Sequence, residues 1–351
     1  MKSDSPGEAA AIPTDQARNR PGASARPRIV LLVPPTRVPL MFTPDALDAL
    51  ARLGQVVRAD GTTDEIAADL PELLEGADVA ITGWGAPPIP AELFGYRLRF
   101  VAHAAGSVKR LVPPEVVERG VVVCHAATII ADAVCEYTIA LILMGLRRPH
   151  EMAAAMAAGA DWRSAGYTEP RTLAGRVVGV IGAGYVGRKV INLLRAFEAQ
   201  VILVDPFAGD DIGVPRLSLE EAFRQAEILT VHAPVTPATE RMIRAEHLAL
   251  LRDGALFINV ARSRLVDSDA LLAELRQGRL WAALDVFDEE PLSVSDPLRS
   301  LPNVLVTPHA AGFTRDTYAR QGMTMVEEIG RHLRGEPLRY RVAPDRYTLM
   351  A

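Results

Sequence analysis

Cysteine is scarce in this chain: only Cys124 and Cys135 occur among 351 residues, and the second sits in an apolar run with helical character. A disulfide or a metal pair is therefore not expected, and a reducing cytoplasm fits. Seven histidines are scattered without a ligand partner at useful spacing, so no metal site is expected either. Basic blocks are missing too. No run of Lys and Arg exceeds two residues and the formal net charge is -5. That excludes the electrostatic footprint of a nucleic-acid binder and leaves small molecules as the expected partners. No apolar stretch looks long enough for a membrane: VCEYTIALILMGL (134 to 146) has about two-thirds of the roughly 20 residues a spanning helix needs. Residues 1–26 lack the apolar core of a signal peptide and are rich in Pro, Gly, Ala and charge, so they read as a disordered tail.

What is present points to a large core. With 49% hydrophobic and 23% charged residues, a chain of this length predicts two domains. From Pro27 onward short β-branched runs alternate with longer helical patterns, the mark of parallel sheets covered by helices, so the fold class is α/β. Strands are expected at 28–33, 55–59, 78–83, 99–104 and 121–126 in a first unit. A second unit has strand patterns at 176–182, 200–205, 227–234, 255–261, 281–287 and 303–308. Six is the count of a complete dinucleotide-binding sheet. Thr62 with Glu65, and Ser218 with Glu221, form capping boxes for two intervening helices. A long apolar helix at 129–148 should be ended or kinked by Pro149 and buried between domains or subunits. A last helix at 315–334 has no strand after it and is expected to fold back onto the first unit.

VVGVIGAGYVGRKV contains G-x-G-x-x-G as Gly182, Gly184 and Gly187, directly after a strand and opening a helix. One glycine serves the tight turn, one lets backbone approach a pyrophosphate, and one allows close helix packing. The phosphates would rest on the helix N-terminus, where unpaired N–H groups favour negative charge. Asp205 ends the next strand, where a carboxylate can accept hydrogen bonds from an adenosine ribose. After it, PFAGDD holds no basic residue to offset a 2′-phosphate, which favours NAD over NADP as the cofactor.

Three reactive side chains follow three later strands. Arg262 comes directly after ALFINVA, Glu290 three residues after WAALDVF, and His309 one residue after NVLVTP. Ligands of doubly wound sheets bind outside the carboxyl ends of the strands, so all three can face one crevice. They suit hydride transfer coupled to proton transfer. Histidine, with an unperturbed pKa of about 6.5, can take or return a hydroxyl proton near neutral pH. A carboxylate on its other ring nitrogen, from Glu290, would fix the tautomer and support the imidazolium. Arg262 would hold a substrate carboxylate through a planar, permanently charged fork.

With LAGRVVGVIGAGYVG (173–187), VHAPVTPAT (231–239), INVAR (258–262), AALDVFDEEPL (282–292) and TPHAAG (307–312) in this order, the chain resembles the D-isomer-specific 2-hydroxyacid dehydrogenases over about residues 98–335. The resemblance implies a Rossmann cofactor domain, 124–307, inserted into a flavodoxin-like substrate domain formed by 27–123 and 308–345, both doubly wound. It implies reversible oxidation of a 2-hydroxy acid with Arg262, Glu290 and His309 in the catalytic positions, and a homodimer. Tyr185 and Val186 match positions along the pyrophosphate. Ala233, Val260 and Ala261, together with Arg262, His309 and Gly312, match positions at the cofactor, and Asp285 matches an acid near the nicotinamide carboxamide. Gly106 and Ser107 match a loop whose backbone amides hold the substrate carboxylate.

Two departures stand out. ARSRLVD puts Ser263 where relatives have glycine and adds Arg264 near the cleft. AAGSVKRLV replaces an Asp-Asn pair by Val108 and Lys109, so Lys109 either meets a second anionic group or is solvated. His103 and His125 flank the same cleft and are read as structural. A different class shares these motifs, an NAD(H)-sensing corepressor-like binding protein of the same fold, and turnover of a 2-keto acid separates the two.

Overall fold

The computed structural model describes residues 26–162 and 170–350. Of the expected tail, 1–26, only Arg26 falls among them, donating to the Ala51 carbonyl at 2.6 Å. Residues 163–169 of the polar segment between the two units likewise lie outside the described residues.

The first sheet holds β1 (Arg28–Leu31), β2 (Gln55–Arg58), β3 (Val79–Thr82), β4 (Phe100–His103) and β5 (Val122–His125). All pairs are parallel, in the order β2-β1-β3-β4-β5. Its central strands are buried on both faces, which is why they read as continuous apolar runs rather than alternating ones. Around it lie α1 (Val38–Met41), α2 (Pro44–Leu53), α3 (Thr63–Leu74) and α4 (Pro114–Glu118). The Thr62–Glu65 capping box opens α3 with both of its reciprocal hydrogen bonds.

The apolar helix α5 (Ala127–Arg147) begins two residues before its expected start. It stops at Arg148, whose left-handed backbone (φ 48°) lets Pro149 open a new helix, α6 (Pro149–Ala157), at the position where a missing N–H costs nothing. The uninterrupted helix is longer than the apolar run inside it, and by length and composition it would suffice to cross a membrane. Half of its most apolar window is buried inside the protein, however, and it packs on both halves of the molecule. Gly145 shows how closely: a Cβ there would fall 2.7 Å from the Leu256 side chain.

The second sheet contains β6 (Val177–Ile181), β7 (Gln200–Val204), β8 (Ile228–Val231), β9 (Leu256–Asn259), β10 (Trp281–Leu284) and β11 (Val304–Val306). Its helices are α7 (Tyr185–Ala196), α8 (Leu219–Gln225), α9 (Ala245–Leu248) and α10 (Ser268–Arg276), and the Ser218–Glu221 box opens α8 as its sequence predicts. The order is β11-β10-β9-β8-β6-β7, all parallel. A further rudimentary strand completes the edge. Leu203 donates to the Pro215 carbonyl and accepts from the Leu217 amide, both at 2.9 Å, around an isolated Leu203–Arg216 bridge. Sequence pattern misses this segment because one bridged residue leaves no periodicity. The final helix, α11 (Arg315–Arg334), packs against α1, α2, β4 and β5 of the first sheet. Buried Glu328 on α11 accepts the amides of Arg339 and Tyr340, drawing the chain end back to β5.

Candidate active site

In each sheet the strand order reverses at one place: between β1 and β3 in the first, between β6 and β8 in the second. Loops leaving such a pair diverge in opposite directions and open a crevice. At the second reversal Gly182 has φ 92°, and a Cβ there would stand 2.7 Å from the Ala233 amide nitrogen, so the two loops meet backbone to backbone. Gly187 presses α7 onto the same turn, its would-be Cβ 2.0 Å from the Gly182 carbonyl oxygen. Gly184, the residue before α7, instead faces open space, with nothing within 4 Å of a Cβ position. The first turn of α7, beginning with half-exposed Tyr185 and followed by Val186, therefore presents bare amides to that space. Asp205 fixes the loop by accepting from Ala183 N and Phe207 N, each at 2.8 Å. Each carboxylate oxygen accepts more than one hydrogen bond, which leaves capacity for ribose hydroxyls. These features fit a dinucleotide: an open anion-binding helix end, a backbone cradle and a carboxylate beyond it.

His309 and Glu290 meet. His309 Nδ1 lies 2.7 Å from Glu290 Oε2, and Glu290 Oε1 accepts from Phe287 N at 3.0 Å. A carboxylate can only accept, so Nδ1 carries the hydrogen and Nε2 is left free to exchange a proton. His309 adopts a left-handed backbone (φ 51°), an uncommon conformation for a residue with a Cβ. Asp285 enforces it. Fully buried, this carboxylate accepts from Thr307 Oγ1 (2.6 Å), Ala310 N (2.8 Å) and Ala311 N (2.9 Å), gripping the loop on both sides of the histidine.

Arg262 is set by a second buried clamp. Asn259 Nδ2 donates to the Arg262 carbonyl and Asn259 Oδ1 accepts from Ala261 N, both at 3.0 Å, holding the turn that includes Val260. The guanidinium donates to the Ala261 carbonyl at 2.6 Å. Burial holds its pKa below the ordinary arginine range; nearby Arg110 adds to this and Glu290 opposes it. Glu290 is thus within electrostatic reach of Arg262 and in direct contact with His309. Lys109 is likewise lowered by burial and then by Arg262. No ion pair involving Lys109 or Arg110 occurs among the described residues, so the cleft carries surplus positive charge. Asp267, five residues beyond Arg262, caps α10, accepting from Ala270 N at 3.1 Å. Arg264, expected near the cleft, pairs with Glu240. Ser263 begins a short 3-10 turn.

On the first sheet, Gly106 and Ser107 leave the carboxyl end of β4. His125 Nδ1 donates to the Gly106 carbonyl at 3.0 Å, and its ring lies edge-on to Tyr185 with centroids 6.1 Å apart. It therefore supports the loop from behind while touching the cofactor half. His103 is paired with Thr82 at 2.9 Å, and burial pushes its pKa down to about 3. Gly312 packs on α5, a Cβ there falling 3.0 Å from Ile130. Sequence reasoning passed over Asn259 and the anchoring use of Asp285; a polar residue inside an apolar strand pattern was the available signal in INVAR.

Fold and crevice define a two-domain dinucleotide-binding protein with an imidazole, a carboxylate and a guanidinium at the cleft. Comparison with known proteins names the family. Residues 139–311 match the model for "D-isomer specific 2-hydroxyacid dehydrogenase, NAD binding domain". D-3-phosphoglycerate dehydrogenase of Methanocaldococcus jannaschii is 31% identical over 300 residues, 83% of this chain, but the match spans only 56% of that longer relative. Glyoxylate reductase of Aeropyrum pernix is 33% identical over 243 residues, 66% of this chain and 72% of that protein. The crystal structure of the TT0316 protein from Thermus thermophilus superposes with a TM-score of 0.75 at 31% identity, covering 90% of this chain and 100% of that one. The chain belongs to the D-isomer-specific 2-hydroxyacid dehydrogenases, a family of NAD-dependent oxidoreductases, and NAD is the cofactor of its binding domain.

Proposed function

We propose that the protein interconverts a D-2-hydroxy acid and the corresponding 2-keto acid with NAD. The observation that carries this reading is the 2.7 Å contact between His309 Nδ1 and Glu290, which leaves Nε2 as the ring nitrogen for proton donation or acceptance. When bound, the nicotinamide supplies the hydride that C2 of the keto acid accepts. In that direction His309 holds the proton that the carbonyl oxygen takes, and Glu290 supports the imidazolium that precedes transfer. Arg262 receives the substrate carboxylate, its burial strengthening the pair. The amides of Gly106 and Ser107 orient the same carboxylate. Gly182, Gly184, Tyr185, Val186 and Gly187 hold the pyrophosphate, Asp205 the ribose, and Ala233, Val260, Ala261 and Gly312 line the nicotinamide half. Asp285 acts there by positioning the His309 loop.

The reading extends to a discontinuous substrate domain, 27–123 with 308–345, around a cofactor domain, 124–307. It also extends to a homodimer in a reducing cytoplasm. Both thiols are free and buried, and α6 buries none of its residues. The corepressor-like alternative is not favoured, since the relatives named above are a dehydrogenase and a reductase. The test is NADH oxidation by the full chain on adding a panel of 2-keto acids; tight NADH binding without turnover of any of them would reject the dehydrogenase reading.

A further inference from the structure

The strand-order reversal of the first sheet lies between β1 and β3, and the loops leaving those strands carry the large side chains of Arg37 and Trp84. Trp84 lies two residues beyond the end of β3 and is 40% exposed. On one side Gly83 packs against the end of the Met41 side chain, a Cβ there falling 2.8 Å from its terminal methyl; on the other Gly85 is left-handed (φ 82°) and its carbonyl accepts from Thr63 Oγ1 at 2.7 Å. Phe313, 56% exposed, follows the His309 loop in a turn closed by Phe313 N donating to the Ala310 carbonyl at 2.8 Å. A turn of that kind spans less than about 7 Å between its end Cα atoms, so Phe313 stays near His309. Buried Tyr318 joins the two, 5.0 Å from Phe313 in an edge-on contact and 6.5 Å from Trp84. Arg37, in the turn after β1, lies close enough to Tyr318 to offset part of the effect of burial on its hydroxyl.

We infer that Trp84 and Phe313, backed by Tyr318, form the wall that receives the substrate's side chain, and that the preferred substrate is a 2-keto acid bearing a ring. This rests on the dehydrogenase reading above and adds the class of its substrate. Scattered exposed aromatics need no explanation. Here two exposed rings share one buried partner, stand beside hydrogen-bonded turns, and occupy the place where doubly wound sheets bind ligands. A substrate ring packing against them gains offset or edge-on aromatic contacts. A hydrogen or methyl group would leave both rings wet.

The experiment is steady-state reduction by the full chain with NADH and four acids: glyoxylate, pyruvate, 2-ketoisocaproate and phenylpyruvate. Burying a phenyl group predicts kcat/KM for phenylpyruvate roughly 10- to 150-fold above glyoxylate, with 2-ketoisocaproate between them. Trp84→Ala and Phe313→Ala should each cut the phenylpyruvate-to-glyoxylate ratio by about tenfold, while Trp84→Phe keeps most of it. A wild-type ratio at or below one, or 2-ketoisocaproate equal to phenylpyruvate, overturns the inference and leaves the dehydrogenase reading standing. So does an equal fall for both acids in the alanine variants. Absence of turnover with all four defeats the underlying reading instead. The wild-type ratio decides the matter even if a variant does not fold.

Discussion

The two sheets share a strand order around their reversal points yet treat those points differently. In the cofactor half the crevice is bare backbone, Gly182 against Ala233 with Gly184 facing open space. In the other sheet the reversal carries Arg37 and Trp84, and Lys109 and Arg110 follow the neighbouring strand β4. A ligand read through phosphate and ribose needs amides and close approach, which only glycine permits, so that half announces itself in sequence. A ligand that differs from one relative to the next is read by side chains from separate loops, and these form no motif.

The comparison breaks most visibly at the junction. His309→Ala should lower kcat by roughly 10²- to 10⁴-fold, with NADH affinity in a fluorescence titration changed little; near-normal turnover would remove the histidine from the chemistry. Gly182→Ala should act on the cofactor half alone. Its Cβ would meet Ala233 backbone at 2.7 Å in a left-handed conformation, and strain of about 1–3 kcal/mol predicts NADH binding weakened by roughly 5- to 150-fold. Unchanged affinity would mean that the turn need not be bare. Arg262→Lys keeps the charge but loses the fork; a charge-assisted bond of roughly 1.5–3 kcal/mol predicts a KM for the keto acid raised about 10- to 100-fold, and an unaltered KM would contradict carboxylate binding there.

A change of pH samples both halves at once. His103 in the first sheet and His232 beside β8 in the second are both held near 3 by burial. Their unfolded value is about 6.5, so below that pH the unfolded chain binds protons that the folded one refuses. Stability is therefore full above about pH 6.5 and declines as pH falls towards 3, by roughly 1.4 kcal/mol per pH unit for each ring. Urea midpoints at pH 7 and pH 5 measure it, and equal midpoints would show that the rings are not kept neutral.

Much of this architecture was legible beforehand. Every expected strand region contains a strand, because apolar β-branched runs between helical patterns admit few alternatives. Both capping boxes form, since each needs only two side chains three residues apart. The rudimentary edge strand at 215–217 was illegible because one bridge has no period. The Arg264–Glu240 ion pair was illegible for a related reason: its partner comes from another loop.

Local chemistry, then, was written in the chain: glycine where backbone must turn or approach, capping side chains where helices begin, and reactive groups just past strand ends. Tertiary structure alone decided which of those groups face each other. His309 and Glu290 are 19 residues apart and Trp84 and Tyr318 far more. Such meetings follow from strand order and loop direction, which depend on the packing of the whole sheet rather than on any one segment's pattern.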